Sequence, residues 1–280
     1  MKRIFLTAFC ALFALFATSG ARACDERTAC QIDGGEYFVA LPKKWDASRP
    51  APAVVFLHGY SDTAEAVMAD EPLRTILSDA GVILIAPQGA KDARGVHTWS
   101  FPGGQSLPRN DVDFIVAVVK DAESRWPIDK KRLLASGFSV GGSMTWYVAC
   151  STQGVFAAYA PVAGAFWVPE PERCKSGPLS LRHVHGLTDQ TVPMKGRTLR
   201  GGAMQQGDVM KSFGVLKKED ACPDAPTRTE RKDALICETW AASDCGSARE
   251  LMLCLHDGEH ITEARWILDA MHWLDGLAGK

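Results

Sequence analysis

A serine between two glycines is the clearest chemical feature of this sequence. Residues 137–141 read Gly-Phe-Ser-Val-Gly, between a strand-like run, 132–136, and a helical run, 143–150. In that context G-x-S-x-G predicts a strained turn that exposes the serine hydroxyl above the edge of a sheet. The helix that starts there also directs free N–H groups at the point where negative charge would form. Ser139 is therefore the predicted nucleophile, and an incidental Gly-rich turn is the alternative.

An acid and then a histidine follow in the order that such a serine requires. Asp189 lies in the loop after the apolar run 179–184, and His260 comes after the last apolar run, 251–255, and an Asp-Gly turn. A carboxylate in this role fixes the tautomer of the imidazole and stabilises the imidazolium that forms. We therefore predict a triad of Ser139, Asp189 and His260, with an ordinary solvated aspartate as the alternative for residue 189.

His260 also belongs to a pattern known from zinc proteases. Residues 256–260 read His-Asp-Gly-Glu-His, which matches H-x-x-E-H. The pattern binds zinc only on a helix, whereas here a strand-like run leads into an Asp-Gly turn signal. The sequence therefore predicts no metal site at this point, and it indicates no cofactor.

Two backbone amides complete the predicted catalytic site. The apolar run 53–57 leads into His-Gly-Tyr at residues 58–60. Where a serine nucleophile lies on such a strand-to-helix turn, the loop after an earlier strand supplies one N–H group to an oxyanion hole. The residue after the nucleophile supplies the other. The predicted donors are therefore the backbone amides of Tyr60 and Val140.

Three aromatic residues are candidates for contact with a substrate. Trp99 lies in a loop rich in Gly and Pro, and Phe166 and Trp167 follow the strand-like run 157–162. Ligands bind at the carboxyl edge of open α/β sheets, where these loops lie. Packing in the core is the alternative for each of the three.

Apolar runs alternate with helical segments along most of the chain. The runs 53–57 and 81–86 are typical of strands buried on both faces, and 111–125 has the spacing of an amphipathic helix. This alternation predicts an α/β fold with a mostly parallel, doubly wound sheet and helices on both faces. The polar segment 208–247 is harder to interpret. We predict there a helix, then an irregular segment held by disulfides, and one extra strand near 234–240.

The first 23 residues have the pattern of an export signal. Lys2 and Arg3 precede the apolar run 4–17, and residues 21–23 provide the small-x-small cleavage pattern. That run is too short for a permanent membrane span. We predict a signal peptide over 1–23 and one catalytic domain over 24–280, secreted or periplasmic and not stably inserted in a membrane. A membrane anchor and acylation of Cys24 are the alternatives.

Cysteine content and charge agree with export. An even set of cysteines after residue 23 favours disulfides in an exported chain. Proximity favours Cys24–Cys30 and Cys150–Cys174. The remaining four would pair among themselves: Cys222, Cys237, Cys245 and Cys254. A net charge of −2 argues against nucleic acid as a partner, because such binding depends on neutralising phosphates.

The chain resembles the exported α/β-hydrolase esterases that include polyhydroxybutyrate depolymerases and feruloyl esterases. The resemblance rests on residues 110–114, 126–129, 137–142, 159–164 and 185–189, and it covers about residues 37–273. It implies an α/β-hydrolase fold and hydrolysis of a small or polymeric carboxylic ester through an acyl-enzyme, without a cofactor.

The resemblance has one departure at the histidine and leaves other chemistries open. Members often carry Gly-Gly-His followed by Trp-Pro, whereas residues 258–262 read Gly-Glu-His-Ile-Thr, so an aromatic wall of the acyl pocket is expected to be missing. An acyltransferase or a peptidase could use the same triad, since the fold hosts all three reactions. A non-catalytic binding protein is the remaining alternative.

Overall fold

The structure is a computed structural model that describes residues 24–278. The predicted signal peptide, 1–23, lies outside the described residues. The strands are β1 (Cys30–Ile32), β2 (Gly35–Ala40), β3 (Ala51–Leu57), β4 (Ile83–Pro87), β5 (Ala90–Lys91), β6 (His97–Thr98), β7 (Ile128–Phe138), β8 (Ala158–Val162), β9 (Leu181–Gly186), β10 (Thr198–Leu199), β11 (Met204–Gln205), β12 (Arg228–Lys232), β13 (Leu235–Trp240) and β14 (Leu251–His256). The helices are α1 (Ala64–Ala69), α2 (Glu71–Asp79), α3 (Asp111–Arg125), α4 (Val140–Ser151), α5 (Val209–Glu219) and α6 (Ala264–Ala278), and a 3-10 turn covers Arg200–Gly202.

Ten of these strands form one sheet with a parallel centre. Its order is β1-β2-β4-β3-β7-β8-β9-β14-β13-β12. The six strands from β4 to β14 pair in parallel, and the outer strands on both sides pair antiparallel. Because parallel strands need crossover connections, helices cover the centre of the sheet. The carboxyl ends of the parallel strands therefore meet at one edge.

Helices pack on both faces of the sheet, as the alternation of apolar segments predicts. Side chains of α3, α4 and α5 share one buried cluster with one face of the strands, and those of α1, α2 and α6 share a second cluster with the other face. Successive residues of β3 show why the strand is wholly apolar: Val54 belongs to one cluster and Val55 to the other. The predicted fold class is confirmed.

Local signals account for where helices begin. The side chain of Asn110 caps α3 by accepting hydrogen bonds from the amides of Val112 and Asp113. The helical stretch between β3 and β4 is divided into α1 and α2 at Asp70, whose carboxylate accepts a hydrogen bond from the Leu73 amide and starts α2. Both boundaries follow from side chains that satisfy free backbone donors.

The polar segment 208–247 contains more structure than its sequence predicts. The predicted helix and extra strand are present as α5 and β13, and β12 adds a further antiparallel strand whose residues are all exposed. Disulfides join Cys24–Cys30, Cys150–Cys174, Cys222–Cys245 and Cys237–Cys254, in agreement with the predicted grouping. No helix among residues 24–278 is both long and apolar enough to cross a membrane.

Candidate active site

Ser139 lies on a sharp turn between β7 and α4. Its backbone has φ 59° and ψ −120°, a conformation that costs a non-glycine residue about 1–3 kcal/mol. The turn is held from both sides, because the Ser139 amide donates to the Val162 carbonyl and the Ser139 carbonyl accepts from the Ser143 amide. The side chain does not cap the helix that starts after it. The hydroxyl is thus left available at the carboxyl edge of the sheet.

Glycines around Ser139 allow the turn to fit between neighbouring strands. A Cβ atom on Gly141 would lie 2.0 Å from the Leu57 carbonyl oxygen, and one on Gly142 would lie 2.3 Å from that of Val162. Both obstacles are backbone atoms of the adjacent strands, so no side-chain rotation could relieve them. The G-x-S-x-G-G sequence is therefore a steric requirement of this turn.

The structure brings Asp189 and His260 together, as the sequence predicts. The Nδ1 atom of His260 lies 2.6 Å from Oδ2 of Asp189, which leaves Nε2 as the free ring nitrogen. Asp189 follows β9, and His260 follows β14, the next strand in the sheet. The two loops also bond to each other, since the Thr188 amide donates to the Gly258 carbonyl.

The environment of Asp189 keeps its carboxylate charged. Burial opposes the charge, but hydrogen bonds from His260 and from the Val192 amide outweigh it and lower the pKa of Asp189. The amides of Thr191 and Val192 both donate to Oδ1, at 2.8 and 2.7 Å. Behind them, Nε2 of the buried His185 donates to the Val192 carbonyl at 2.7 Å. This arrangement fixes the carboxylate against the imidazole.

His260 and Ser139 share no hydrogen bond in the described part of the chain. The His260 ring instead packs on Phe138, the residue before the serine, with ring centroids 4.6 Å apart. The histidine is thus adjacent to the serine turn. Catalytic hydrogen bonds of this kind are commonly long without substrate and tighten in its complex.

The predicted oxyanion donors face the same cavity as Ser139. Tyr60, Ser139 and Val140 all line it. Within residues 24–278 neither the Tyr60 nor the Val140 amide has a hydrogen-bond acceptor. Two unpaired N–H groups beside a serine hydroxyl suit the stabilisation of an oxyanion.

Trp99 supports the turn that carries Tyr60. Its indole N–H donates to the His58 carbonyl at 2.8 Å, and the indole ring packs on the His58 ring. His58 in turn accepts the Gly89 amide at Nε2, so its Nδ1 carries the proton and donates to the Gly59 carbonyl. Trp99 is fully buried and also lines the cavity. It therefore forms part of the cavity wall and supports the turn that carries Tyr60.

Of the two neighbouring aromatics, only Trp167 lines the cavity. Its indole N–H donates to Ser143 Oγ at 3.2 Å, and its ring packs edge-on against Phe101, another wall residue. The structure places Phe166 elsewhere, fully buried against Trp146 and Tyr147. Phe166 is thus a core residue, because the chain turns its side chain toward α4.

The H-x-x-E-H stretch is not helical. His256 ends β14, and the residues that follow form bends before α6 begins at Ala264. The Nδ1 atom of His256 accepts the Gly258 amide at 3.1 Å, so this nitrogen is engaged within its own turn. The geometry of a zinc helix is therefore absent from residues 256–260.

Three arginines in the cavity wall were not anticipated from the sequence. The cavity has a volume of about 290 Å³, and Arg94, Arg197 and Arg200 line it together with aromatic and aliphatic side chains. Two of them lie in residues 194–206, which we call the arginine segment; it contains β10, the 3-10 turn and β11. The short strands of this segment carry no recognisable periodicity, so only the fold reveals what they face.

Comparison with known proteins identifies the family. Residues 35–195 match the model of the Esterase family. The chain belongs to that family. This Esterase-family chain is also 27% identical over 209 residues to "Probable feruloyl esterase C" of Aspergillus niger, covering 70% of the chain and 72% of the relative. It is 26% identical over 173 residues to feruloyl esterase C of Emericella nidulans, covering 59% of each.

Solved structures agree on the fold of this esterase. An acetyl xylan esterase from Aspergillus awamori superposes with a TM-score of 0.62 at 17% identity, covering 86% of this chain and 94% of the other. At that identity the likeness concerns the fold, which is that of the α/β-hydrolases. The family match and the relatives named as feruloyl esterases make the protein a carboxylic ester hydrolase.

Proposed function

We propose that this esterase is a serine hydrolase in which Ser139 is the nucleophile, His260 the general base and Asp189 the residue that orients it. The observation that carries the proposal is the 2.6 Å contact between His260 Nδ1 and Asp189 Oδ2 beside a serine held at positive φ. Because Asp189 occupies Nδ1, the opposite ring nitrogen is the one that can accept a proton from the serine.

The proposed reaction has two steps. Ser139 Oγ attacks the ester carbonyl while His260 takes its proton, and the Tyr60 and Val140 amides bind the oxyanion. The carbon–oxygen bond to the alcohol then breaks, and the alcohol leaves with the proton held by His260. Water then attacks the acyl-enzyme while His260 takes its proton. The bond between the acyl carbon and Ser139 Oγ breaks, His260 returns the proton to Ser139, and the acid is released.

The proposed substrates are esters of the feruloyl or polyhydroxybutyrate type. The names of the relatives support the first, and the aromatic wall formed by Trp99, Phe101 and Trp167 offers an apolar surface to either. We also propose that residues 1–23 are removed on export and that 24–280 act as one secreted or periplasmic catalytic domain. The four disulfides support an oxidising compartment.

Replacement of the nucleophile tests the mechanism. The mature chain and its Ser139→Ala variant would be assayed on methyl ferulate, 4-nitrophenyl butyrate and suspended polyhydroxybutyrate, and labelled with a fluorophosphonate. We expect the variant to lose at least about 10³-fold in kcat on every ester that the parent hydrolyses, together with all labelling.

A matched serine variant separates chemistry from folding. Ser106→Ala changes an exposed serine of a nearby loop and should keep full turnover and labelling. Turnover or labelling by Ser139→Ala at the parental rate would exclude Ser139 as the nucleophile.

A further inference from the structure

The cavity beside Ser139 combines an apolar wall with a cationic rim. Trp99, Phe101, Trp167, Leu199 and Met204 supply the apolar surface. The rim carries the three guanidinium groups, and none of the residues that line the cavity is an aspartate or a glutamate. A neutral ester would leave those groups without a specific role.

One carboxylate offsets part of this charge from behind the rim. Asp92 lies 3.0 Å from a terminal nitrogen of Arg94 and 3.9 Å from one of Arg200. Burial opposes the charge of Asp92, but hydrogen bonds from the Val96 and Arg94 amides and the Arg94 guanidinium outweigh it and lower its pKa to about 2. Asp92 is therefore a fixed anion that neutralises about one of the three cations.

Arg197 and Arg200 retain unused donors. The Nε atom of Arg197 donates to the neutral side chain of Gln206 at 3.2 Å, and no ion pair involves Arg197 within residues 24–278. Arg200 keeps 46% of its side-chain surface exposed, and its contact with Asp92 is long. Each guanidinium has five N–H donors in a planar fork, so both keep donors for a further acceptor.

Neutral partners hold the rim in place without reducing its charge. Arg94 also donates to the Tyr60 hydroxyl, which ties it to the turn that carries an oxyanion amide. The Gln105 amide bridges Asp92 and Arg200 when its oxygen faces Arg200 at 3.1 Å and its nitrogen faces Asp92 at 3.3 Å. The excess positive charge is thus built into the wall of the cavity.

We propose that the preferred substrate is an ester that also carries a free carboxylate, bound by Arg197 and Arg200 while the ester carbonyl lies at Ser139. This inference rests on the proposed function and specifies its substrate class. A carboxylate matches the guanidinium fork in a bidentate geometry that an amide or an alkyl ester cannot reproduce. The apolar side chains that line the same cavity would accommodate the aromatic or branched body that separates the two groups.

Isosteric pairs of substrates test the proposal on both sides of the ester. 4-Acetoxybenzoate and 4-acetoxybenzamide place the carboxylate or its neutral isostere on the leaving group. Monomethyl terephthalate and methyl 4-carbamoylbenzoate place it on the acyl group. We expect the acid of at least one pair to exceed its amide by at least about tenfold in kcat/KM at low ionic strength. The preference should decline as added salt shortens the Debye length.

Variants assign the preference to the rim. Arg197→Gln and Arg200→Gln should each reduce the acid-over-amide ratio by at least about threefold, because kcat/KM should fall more on the acid than on the amide. Arg231→Gln removes the same charge from an exposed position on β12, at the far edge of the sheet, and should leave the ratio unchanged.

The outcomes distinguish this inference from the proposed function. Equal or faster hydrolysis of both amides, or failure of all four compounds while 4-nitrophenyl butyrate is hydrolysed, would overturn the carboxylate preference alone. A preference that Arg231→Gln abolishes as readily as the rim variants would overturn its assignment to Arg197 and Arg200. Loss of activity on 4-nitrophenyl butyrate as well would count against the proposed function.

Discussion

The serine turn and the arginine segment line the same cavity but are built in opposite ways. The turn lies between strand ends, where a single added carbon on Gly141 would meet two backbone carbonyls. The arginine segment lies outside the main sheet and consists of two paired strands of two residues each, joined by the 3-10 turn. It is attached through hydrogen bonds such as that from the Val168 amide to the Gln205 carbonyl.

The residues proposed to carry out catalysis therefore lie in a differently built part of the molecule from the residues proposed to select the substrate. The sheet fixes the positions of Ser139, Asp189 and His260, because each follows a parallel strand and shares backbone contacts with its neighbour. The strands of the arginine segment are not part of the sheet that holds those residues. We therefore expect variants of the turn and triad to affect all substrates alike, and variants of the segment to affect only the choice among them.

Of the variants that leave Ser139 in place, Asp189→Asn should have the largest effect on rate. Asparagine retains an oxygen for the Thr191 and Val192 amides, so the loop should keep its shape, but it cannot stabilise an imidazolium or fix the required tautomer. We expect kcat to fall about 10⁴-fold on anionic and neutral esters alike, with the melting temperature almost unchanged.

Asp257→Asn is the matched control, since it makes the same substitution in the exposed turn before His260. It should keep the parental kcat. A kcat for Asp189→Asn within tenfold of the parent would show that the 2.6 Å contact is structural only.

Gly141→Ala should act on stability as well as on rate. The new methyl group would lie 2.0 Å from the Leu57 carbonyl oxygen and 2.4 Å from that of His58, so β3 and the serine turn must separate. Forcing extra volume into a close-packed site typically costs about 1–3 kcal/mol. We expect a loss in the free energy of unfolding at the upper end of that range, measured by urea denaturation, and a parallel loss of activity on every ester.

Gly214→Ala provides the comparison for that measurement. Gly214 lies in α5, where a Cβ atom would meet nothing within 4 Å. Alanine should stabilise this helix by about 0.5–1 kcal/mol, because it loses less conformational freedom on folding than glycine. If both variants changed stability in the same direction, the close approach at Gly141 would not be the limiting contact.

The same contrast explains what the sequence could predict. Long apolar runs with turn signals at their ends, such as β3 and β14, are typical of buried strands. The centre of the sheet and the loops after its strands can therefore be predicted from the sequence pattern alone. The choice between Phe166 and Trp167 does not, because it depends on a bridge from Trp167 to Gln206, about forty residues away. The sequence did not predict that Arg197 and Arg200 line the cavity, because an arginine in a polar segment normally indicates only a solvated surface.

Gly196→Ala should have the smallest effect on turnover and should confine that effect to the choice among substrates. Gly196 lies in the arginine segment, directly before Arg197, at φ +69°, and a Cβ atom there would lie 2.1 Å from the Gln206 carbonyl oxygen. The hairpin must therefore shift and carry Arg197 with it, while the strands that hold the triad stay in place. We expect the acid-over-amide ratio of kcat/KM to fall by about threefold, with neutral esters hydrolysed at close to the parental rate.

Gly201→Ala distinguishes displacement of the segment from backbone strain. Gly201 also has a positive φ, 63°, but a Cβ atom there would meet nothing within 4 Å. It should therefore cost about 1 kcal/mol of conformational strain without moving the arginines. An equal fall in activity on acids and amides in Gly196→Ala would mean that the segment supports the catalytic turn, and the division between chemistry and selectivity would then be wrong.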